Sequence, residues 1–188
     1  RAFLHWRIQM ANYVTAFNRL YQAGFSPNLV ERPRLEKHLQ KVLNDVGKMR
    51  GLITPASKET HIQKAIFEAI QTVSRNLVCM LELQINAYWS SRPGHFVMLN
   101  AHTLRETQQM TQQTLLTIAH ALYEGNPQPI RANTEKLNDI VAELRELMKE
   151  HQGDSLAETP IHGYVWLTIE LARQLELLSN LICRALRK

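Results

Sequence analysis

The sequence is poor in the residues that mark several protein classes. Its 188 residues include only 2 Cys, 7 Gly and 7 Pro, and aromatic side chains make up 7%. Two cysteines cannot build the disulfide framework of a small secreted domain, so we expect a reducing compartment. So few glycines and prolines exclude collagen-like and low-complexity chains. The composition predicts a single domain over residues 1–188 with its own core.

Long apolar runs are also missing. The most hydrophobic stretch, residues 77–89, is interrupted by Glu82, Gln84 and Asn86, whereas a membrane-spanning helix needs about 18 apolar residues in succession. No segment alternates with the two-residue period of a half-buried strand. The chain begins at Arg1 without a secretory signal, and we therefore expect it to be a piece of a longer protein.

What the sequence does contain is apolar spacing of the helical kind. Six segments repeat apolar side chains at steps of three and four, over residues 6–20, 35–49, 62–81, 104–122, 137–148 and 171–185. This period predicts amphipathic helices. Short connections between them favour antiparallel neighbours. We predict an all-α fold, an elongated up-and-down bundle of about six helices.

Turn residues set the predicted boundaries. Gly24 and Pro27 end the first helix, Gly51 the second, Gly125 the fourth and Gly153 the fifth. Thr-Pro pairs are typical of an N-cap followed by proline in the first turn. Thr54-Pro55 is therefore predicted to open a third helix that runs unbroken to about Ser91, and Thr159-Pro160 to open the sixth.

The charge balance is moderately positive. There are 22 Lys and Arg against 17 Asp and Glu, a net charge of +5. Such a balance fits nucleic acid, an anionic membrane surface or acidic small molecules, and does not choose among them.

An even number of antiparallel helices brings the two chain ends to the same end of the bundle. Phe3, Leu4, Trp6 and Ile8 alternate there with cations, a mixture typical of a helix leaving the membrane on the cytoplasmic side. The alternative is a helix start packed on its own bundle. The first interpretation predicts a membrane-proximal basic pole made of Arg1, Arg7, Arg184, Arg187 and Lys188.

The sequence contains few signatures of catalysis or metal binding. No Glu is followed three residues later by His, and the zincin, phosphate-loop and serine-nucleophile signatures are absent. His102 and Glu106 are predicted to form a solvated helix contact rather than a metal site. Cys79 and Cys183 are interpreted as small buried hydrophobes. We therefore predict no enzyme, no catalytic or metal-binding residue and no cofactor.

The fourth helix is unusually polar. It carries Gln108, Gln109, Gln112 and Gln113 together with Thr103, Thr107, Thr111, Thr114 and Thr117. These side chains could line a ligand channel, but we predict that they face water. His120 is expected at the surface or its boundary.

Four strings of sequence resemble a known family over essentially the whole chain. They are KMRGLITPASKET at 48–60, NLVCMLELQINAYW at 76–89, HALYEGNPQP at 120–129 and LELLSNLICRALRK at 175–188. They are similar to the C-terminal soluble part of a member of the fusaric acid resistance and aromatic acid exporter family. No short catalytic signature is shared, so the family supplies no transport residue inside this segment.

The resemblance implies that this domain lies on the cytoplasmic side of a bacterial inner membrane and follows membrane helices of the same chain. It implies export of aromatic acids or related toxic compounds, with the domain serving assembly, gating or substrate capture. The expected partners are the chain's own transmembrane domain, the anionic inner leaflet and further copies of the chain in a homo-oligomer, but no nucleic acid. The alternative is a helical interaction or oligomerisation module with no transport role.

Overall fold

A computed structural model describes residues 1–26, 34–90, 101–150 and 159–187. Within these ranges the chain forms helices and no strand, which confirms the all-α prediction. The described helices are α1 (Ala2–Phe25), α2 (Leu35–Arg50), α3 (Ile53–Thr60), α4 (Lys64–Ser90), α5 (Ala101–Glu124), α6 (Gln128–Glu150) and α7 (Thr159–Ala185). α4 and α7 have 27 residues each, which corresponds to a length of about 40 Å.

The six long helices run up and down around a shared core. α1 packs between α2 and α5, α6 packs between α5 and α7, and α4 joins α7 to α2. Tyr13 donates to the Ser74 carbonyl, and Trp89 donates to the Gly24 carbonyl. These two bonds show that α1 and α4 run in the same direction. α4 and α7 form an antiparallel pair, and the Gln84 side chain donates to Thr168 across it at 2.8 Å.

The apolar positions predicted from the sequence form this core. The first segment is fully confirmed, because Trp6, Met10, Tyr13, Phe17 and Leu20 are all buried. Aromatic rings fill both ends. Trp6 stacks edge-on against Phe67 with ring centroids 4.9 Å apart, and Phe25 meets Tyr88 at 5.3 Å near the other end. Such edge-to-face contacts add to the burial of the rings.

The third predicted helix is wrong in one respect, because the chain breaks at residues 61–63. His61 adopts a left-handed conformation with φ 60°. The Ser57 hydroxyl donates to the Ile62 carbonyl at 2.7 Å, and Thr60 accepts from the Ile62 N–H at 3.2 Å. Side-chain hydroxyls thus satisfy backbone groups that would otherwise continue the helix. The segment becomes α3 and α4, and the described residues contain seven helices.

Some of the predicted helix boundaries are confirmed and one is wrong. Thr54 is not an N-cap, because α3 begins at Ile53 with Leu52 before it. Gly125 follows the end of α5 with φ +70°, as a C-terminal glycine should. Gly51 follows α2, and Thr159 begins α7. Pro27 and Gly153 lie outside the described residues.

Candidate functional site: the basic end of the bundle

Four of the five residues of the predicted basic pole lie at one end of the bundle: Arg1, Arg7, Arg184 and Arg187. Two separate contacts place them there. Arg7 bonds to the end of α5. Cys183, next to Arg184, lies 3.9 Å from the carbonyl of Pro127, which belongs to the turn after α5. Arg1 starts α1, one and a half turns before Arg7. The start of α1 and the end of α7 therefore meet around the 125–127 turn. Lys188 lies outside the described residues.

Arg7 is a structural cation and not a free one. Its Nε donates to the Leu122 carbonyl at 2.9 Å, and Nη2 donates to the Tyr123 carbonyl at 2.8 Å. These carbonyls belong to the last turn of α5, where backbone acceptors lack helical partners and the helix dipole favours a cation. The guanidinium also lies 5.8 Å from the centre of the Phe3 ring. Arg7 therefore joins α1 to α5.

The start of α1 is held by a carboxylate from α3. Glu59 accepts hydrogen bonds from the backbone N–H groups of Ala2 and Phe3, each 3.1 Å long. Glu59 thus supplies the N-terminal cap that no residue of α1 provides.

Arg131 and Arg187 flank the buried thiol of Cys183. Burial raises the pKa of this thiol, and the two guanidinium groups oppose that effect. A thiol whose pKa is raised holds its proton and is a poor nucleophile. Cys183 is buried as predicted, whereas Cys79 is exposed on α4, so its predicted burial is wrong.

Five further cations lie at this end that the predicted basic pole does not include. Lys48 and Arg50 end α2, Lys58 lies in α3, Lys64 begins α4 and Arg131 lies in the first turn of α6. Contacts of Glu59 with Ala2 and of Phe67 with Phe3 bring the 48–64 region beside the start of α1. The predicted up-and-down topology could have located these cations, because the connection between the second and third segments returns to this end.

We use the name basic end for nine cations: Arg1, Arg7, Lys48, Arg50, Lys58, Lys64, Arg131, Arg184 and Arg187. All of them except Arg7 are exposed. Three carboxylates, those of Glu59, Glu68 and Glu124, lie in the same layer, so the basic end carries more positive charge than the +5 of the entire chain. The remainder of the sequence is close to neutral.

Exposed apolar side chains adjoin these cations. Leu4 and Ile8 lie one turn apart on α1 and are 45% and 39% exposed, and Tyr123 on α5 is 48% exposed. The Tyr123 hydroxyl donates to Asn12 at 3.1 Å, which places its ring along α1 one turn beyond Ile8. The basic end therefore combines charge with an apolar patch.

The polar face of α5 does not face water as predicted. Thr103, Thr107, Thr111 and Thr114 are buried in the bundle. Thr107, Thr111 and Thr114 each donate to the carbonyl four residues earlier, so their hydroxyls are satisfied within the helix and their methyl groups pack like those of valine. Gln109 and Gln113 are exposed, as is His120.

A layer of polar groups continues inward from this threonine stripe. The Gln84 amide donates to Thr168 at 2.8 Å, and Gln108 donates to the Tyr164 hydroxyl at 3.3 Å. The Tyr21 hydroxyl lies near Thr111 without a hydrogen bond of normal geometry. Burial raises the pKa of Tyr21, and it raises that of Tyr164 to about 12. These phenols stay neutral and act as core side chains at ordinary pH.

The described residues hold no group of three metal-binding side chains. His102 and Glu106 form the exposed contact predicted from their spacing, with Nε2 and Oε2 3.7 Å apart. Within the same ranges, none of the helices has the length and hydrophobicity needed to cross a bilayer.

Comparison with known proteins gives a membrane relative. No protein-family model matches the chain. The chain is similar to a bacterial inner membrane protein, with 70% identity over all 188 residues. That relative is inner membrane protein YeeA of Escherichia coli strain K12, and the chain covers 53% of its length. The chain thus spans about half of the curated relative that it matches.

Proposed function

We propose that this bundle is the cytoplasmic domain of an inner-membrane exporter of aromatic acids or related toxic compounds, where it serves assembly, gating or substrate capture. The observation that carries the proposal is the 70% identity over the whole chain with an inner membrane protein of about twice its length. The resemblance to the exporter family supplies the expected substrate class. Membrane helices elsewhere in the longer protein would form the path and supply the driving force.

The charge distribution supports a role near the inner mouth of such a path. Aromatic carboxylates are anions at neutral pH, and a concentrated positive field raises the local concentration of anions. The basic end supplies that field beside the start of α1, where the membrane helices would connect. Among the described residues at the other end of the bundle, there is no comparable excess of cations.

Export is tested in cells that express the full-length gene or a version lacking the codons of residues 1–188. Cells are loaded with labelled 4-hydroxybenzoate or fusaric acid, and the retained label is followed with and without an uncoupler. We expect more label to be retained in the truncated strain while energy is available. Equal retention for both acids contradicts the proposal, provided that immunoblotting shows the truncated protein in the membrane.

The orientation is tested separately by proteolysis. A cytoplasmic bundle is protected in intact spheroplasts and cleaved in inverted membrane vesicles. The opposite pattern would place the domain on the periplasmic side and overturn the orientation without deciding about export.

Exposed apolar side chains outside the basic end favour a second candidate, the interaction module without a transport role. Trp166 on α7 is 54% exposed and Leu83 on the adjoining α4 is 57% exposed. Large apolar groups on two packed helices are typical of a contact surface. Sedimentation velocity of the chain tests this candidate. A dimer that Trp166→Ser converts to a monomer supports the interaction module, and a monomer at every concentration contradicts it.

A further inference from the structure

We propose that the basic end is a binding surface for anionic lipid headgroups, with Leu4, Ile8 and Tyr123 entering the interface between headgroups and acyl chains. The inference rests on the proposed function only in placing this end beside a bilayer. The property itself belongs to the 188-residue chain and can be measured without transport.

The cations of the basic end differ in how they affect the helices from which they project. Lys48, Arg50 and Arg184 lie in the last turns of their helices, where they offset the helix dipole. Lys64 and Arg131 lie in first turns, where the dipole disfavours a cation, and neither α4 nor α6 has an acidic residue in its first turn. An anion bound from outside would offset this unfavourable placement.

Pairing within the protein does not neutralise the charge. Among the described residues, no ion pair joins Lys48, Arg50, Lys58, Lys64 or Arg187 to a carboxylate. These side chains project from the ends of α2, α3, α4 and α7, so the positive charge is spread over a broad end face rather than concentrated in a cleft. A dispersed set of flexible cations suits a planar anionic surface, because each cation contributes separately to the binding free energy.

The apolar patch favours lipid over nucleic acid. Leu4 and Ile8 project from the first two turns of α1, beside Arg1 and Arg7. Aliphatic side chains gain nothing from a phosphate backbone, whereas they gain by leaving water at a bilayer interface. Tyr123 presents a ring with a polar hydroxyl, the combination that is enriched at headgroup depth. Cations and apolar groups at the same end of the bundle contribute together to binding an anionic bilayer.

The test measures partitioning of the folded chain to vesicles of phosphatidylethanolamine and phosphatidylglycerol, against vesicles of phosphatidylcholine alone. We expect binding to the anionic vesicles that weakens with added salt, and little binding to the neutral ones. The triple variant Lys48→Gln, Arg50→Gln, Arg187→Gln should bind on the order of 100-fold more weakly. Arg7 is left unchanged because it holds α1 to α5.

A matched control removes the same charge from elsewhere. Lys37→Gln, Arg105→Gln, Arg145→Gln also replaces one lysine and two arginines, all exposed and outside the basic end. We expect this variant to bind nearly as well as the unchanged chain, and circular dichroism verifies that both triple variants are folded. Equal weakening by the two triple variants would show a general charge effect and overturn the proposal.

Two further measurements separate lipid from other anions. Leu4→Ser with Ile8→Ser should weaken vesicle binding while leaving its salt dependence unchanged, because only the apolar contribution is lost. A duplex DNA fragment that binds as tightly as the anionic vesicles would assign the surface to nucleic acid instead. Absence of vesicle binding rejects the lipid surface but leaves the export assay in cells unaffected, so the two failures are distinguishable.

Discussion

At the scale of single residues, charge and hydrogen bonding give similar side chains different roles. Arg7 and Arg184 both belong to the basic end. Arg7 donates to two carbonyls of α5, whereas Arg184 is exposed in the last turn of α7. A guanidinium that donates to two helix-end carbonyls contributes far more than an exposed cation without such bonds.

Arg7→Ala should therefore lower the free energy of unfolding by about 2 kcal/mol, because the two carbonyls lose a charged donor. Arg7→Lys should recover less than half, since an ammonium cannot reproduce the planar pair of bonds. Arg184→Ala is the control and should change stability by less than about 0.5 kcal/mol. Urea unfolding measures all three. Equal effects of the two alanine variants would show that Arg7 does not act as a cap.

The buried tyrosines offer a second contrast at this scale. The Tyr13 hydroxyl donates to the Ser74 carbonyl at 2.6 Å, whereas the Tyr21 hydroxyl is buried without a hydrogen bond of normal geometry. Tyr13→Phe should cost about 1 kcal/mol of stability. Tyr21→Phe should be neutral or stabilising by up to about 1 kcal/mol, because it removes a poorly satisfied polar group. Thermal unfolding of the two variants checks the opposite signs.

At the scale of helices, burial periodicity predicted most of the fold, and local hydrogen bonding accounts for the errors. The apolar stripe of α1 was predicted because burial repeats with the helical period. The break at His61 was missed, since it depends on Ser57 and Thr60 bonding to the backbone. The buried threonines of α5 were assigned to water because composition does not show that their hydroxyls bond within the helix.

Gly24 and Gly47 test how closely the helices pack. A Cβ on Gly24 would lie 2.3 Å from Cδ1 and 2.6 Å from Cγ1 of Ile85, whereas a Cβ on Gly47 meets nothing within 4 Å. Gly24→Ala should destabilise by at least about 1 kcal/mol, because overpacking outweighs the gain in helix propensity. Gly47→Ala should stabilise by about 0.5–1 kcal/mol.

Chemical denaturation of both glycine variants gives the comparison. If the clash with Ile85 is the cause, the double variant Gly24→Ala, Ile85→Ala should be less destabilised than the sum of the single variants. Additive effects would point to another origin, such as a weakened bond from Trp89 to the Gly24 carbonyl.

At the scale of the whole molecule, the topology brings together cations that lie far apart in the sequence. The two chain ends supplied four of the nine cations of the basic end from sequence alone, because an even number of long helices returns the chain to its start. The remaining cations come from the 48–64 region and from Arg131. They lie near the connections after the second and fourth predicted helices, which return to the same end in an up-and-down bundle, so this topology brings them together with the chain ends.

The whole bundle should be stable to mild alkali and unfold in strong alkali. Tyr13, Tyr21 and Tyr164 are buried in contacts that involve α1, α4, α5 and α7, and burial raises the pKa of each above the 10.0 of an exposed phenol, to about 12 for Tyr164. The unfolded chain then loses protons that the folded chain keeps. The stabilisation is fully present below about pH 10 and is lost as pH rises through the folded-state values.

Each of these tyrosines should make the free energy of unfolding fall by up to about 1.4 kcal/mol per pH unit above pH 10. Urea unfolding at a series of alkaline pH values measures the slope. Tyr164→Phe should reduce it by about one third, because one of three contributing phenols is gone. An unchanged slope in Tyr164→Phe would mean that this phenol ionises equally in both states, and the burial of Tyr164 beside Gln108 and Tyr88 would then have to be abandoned.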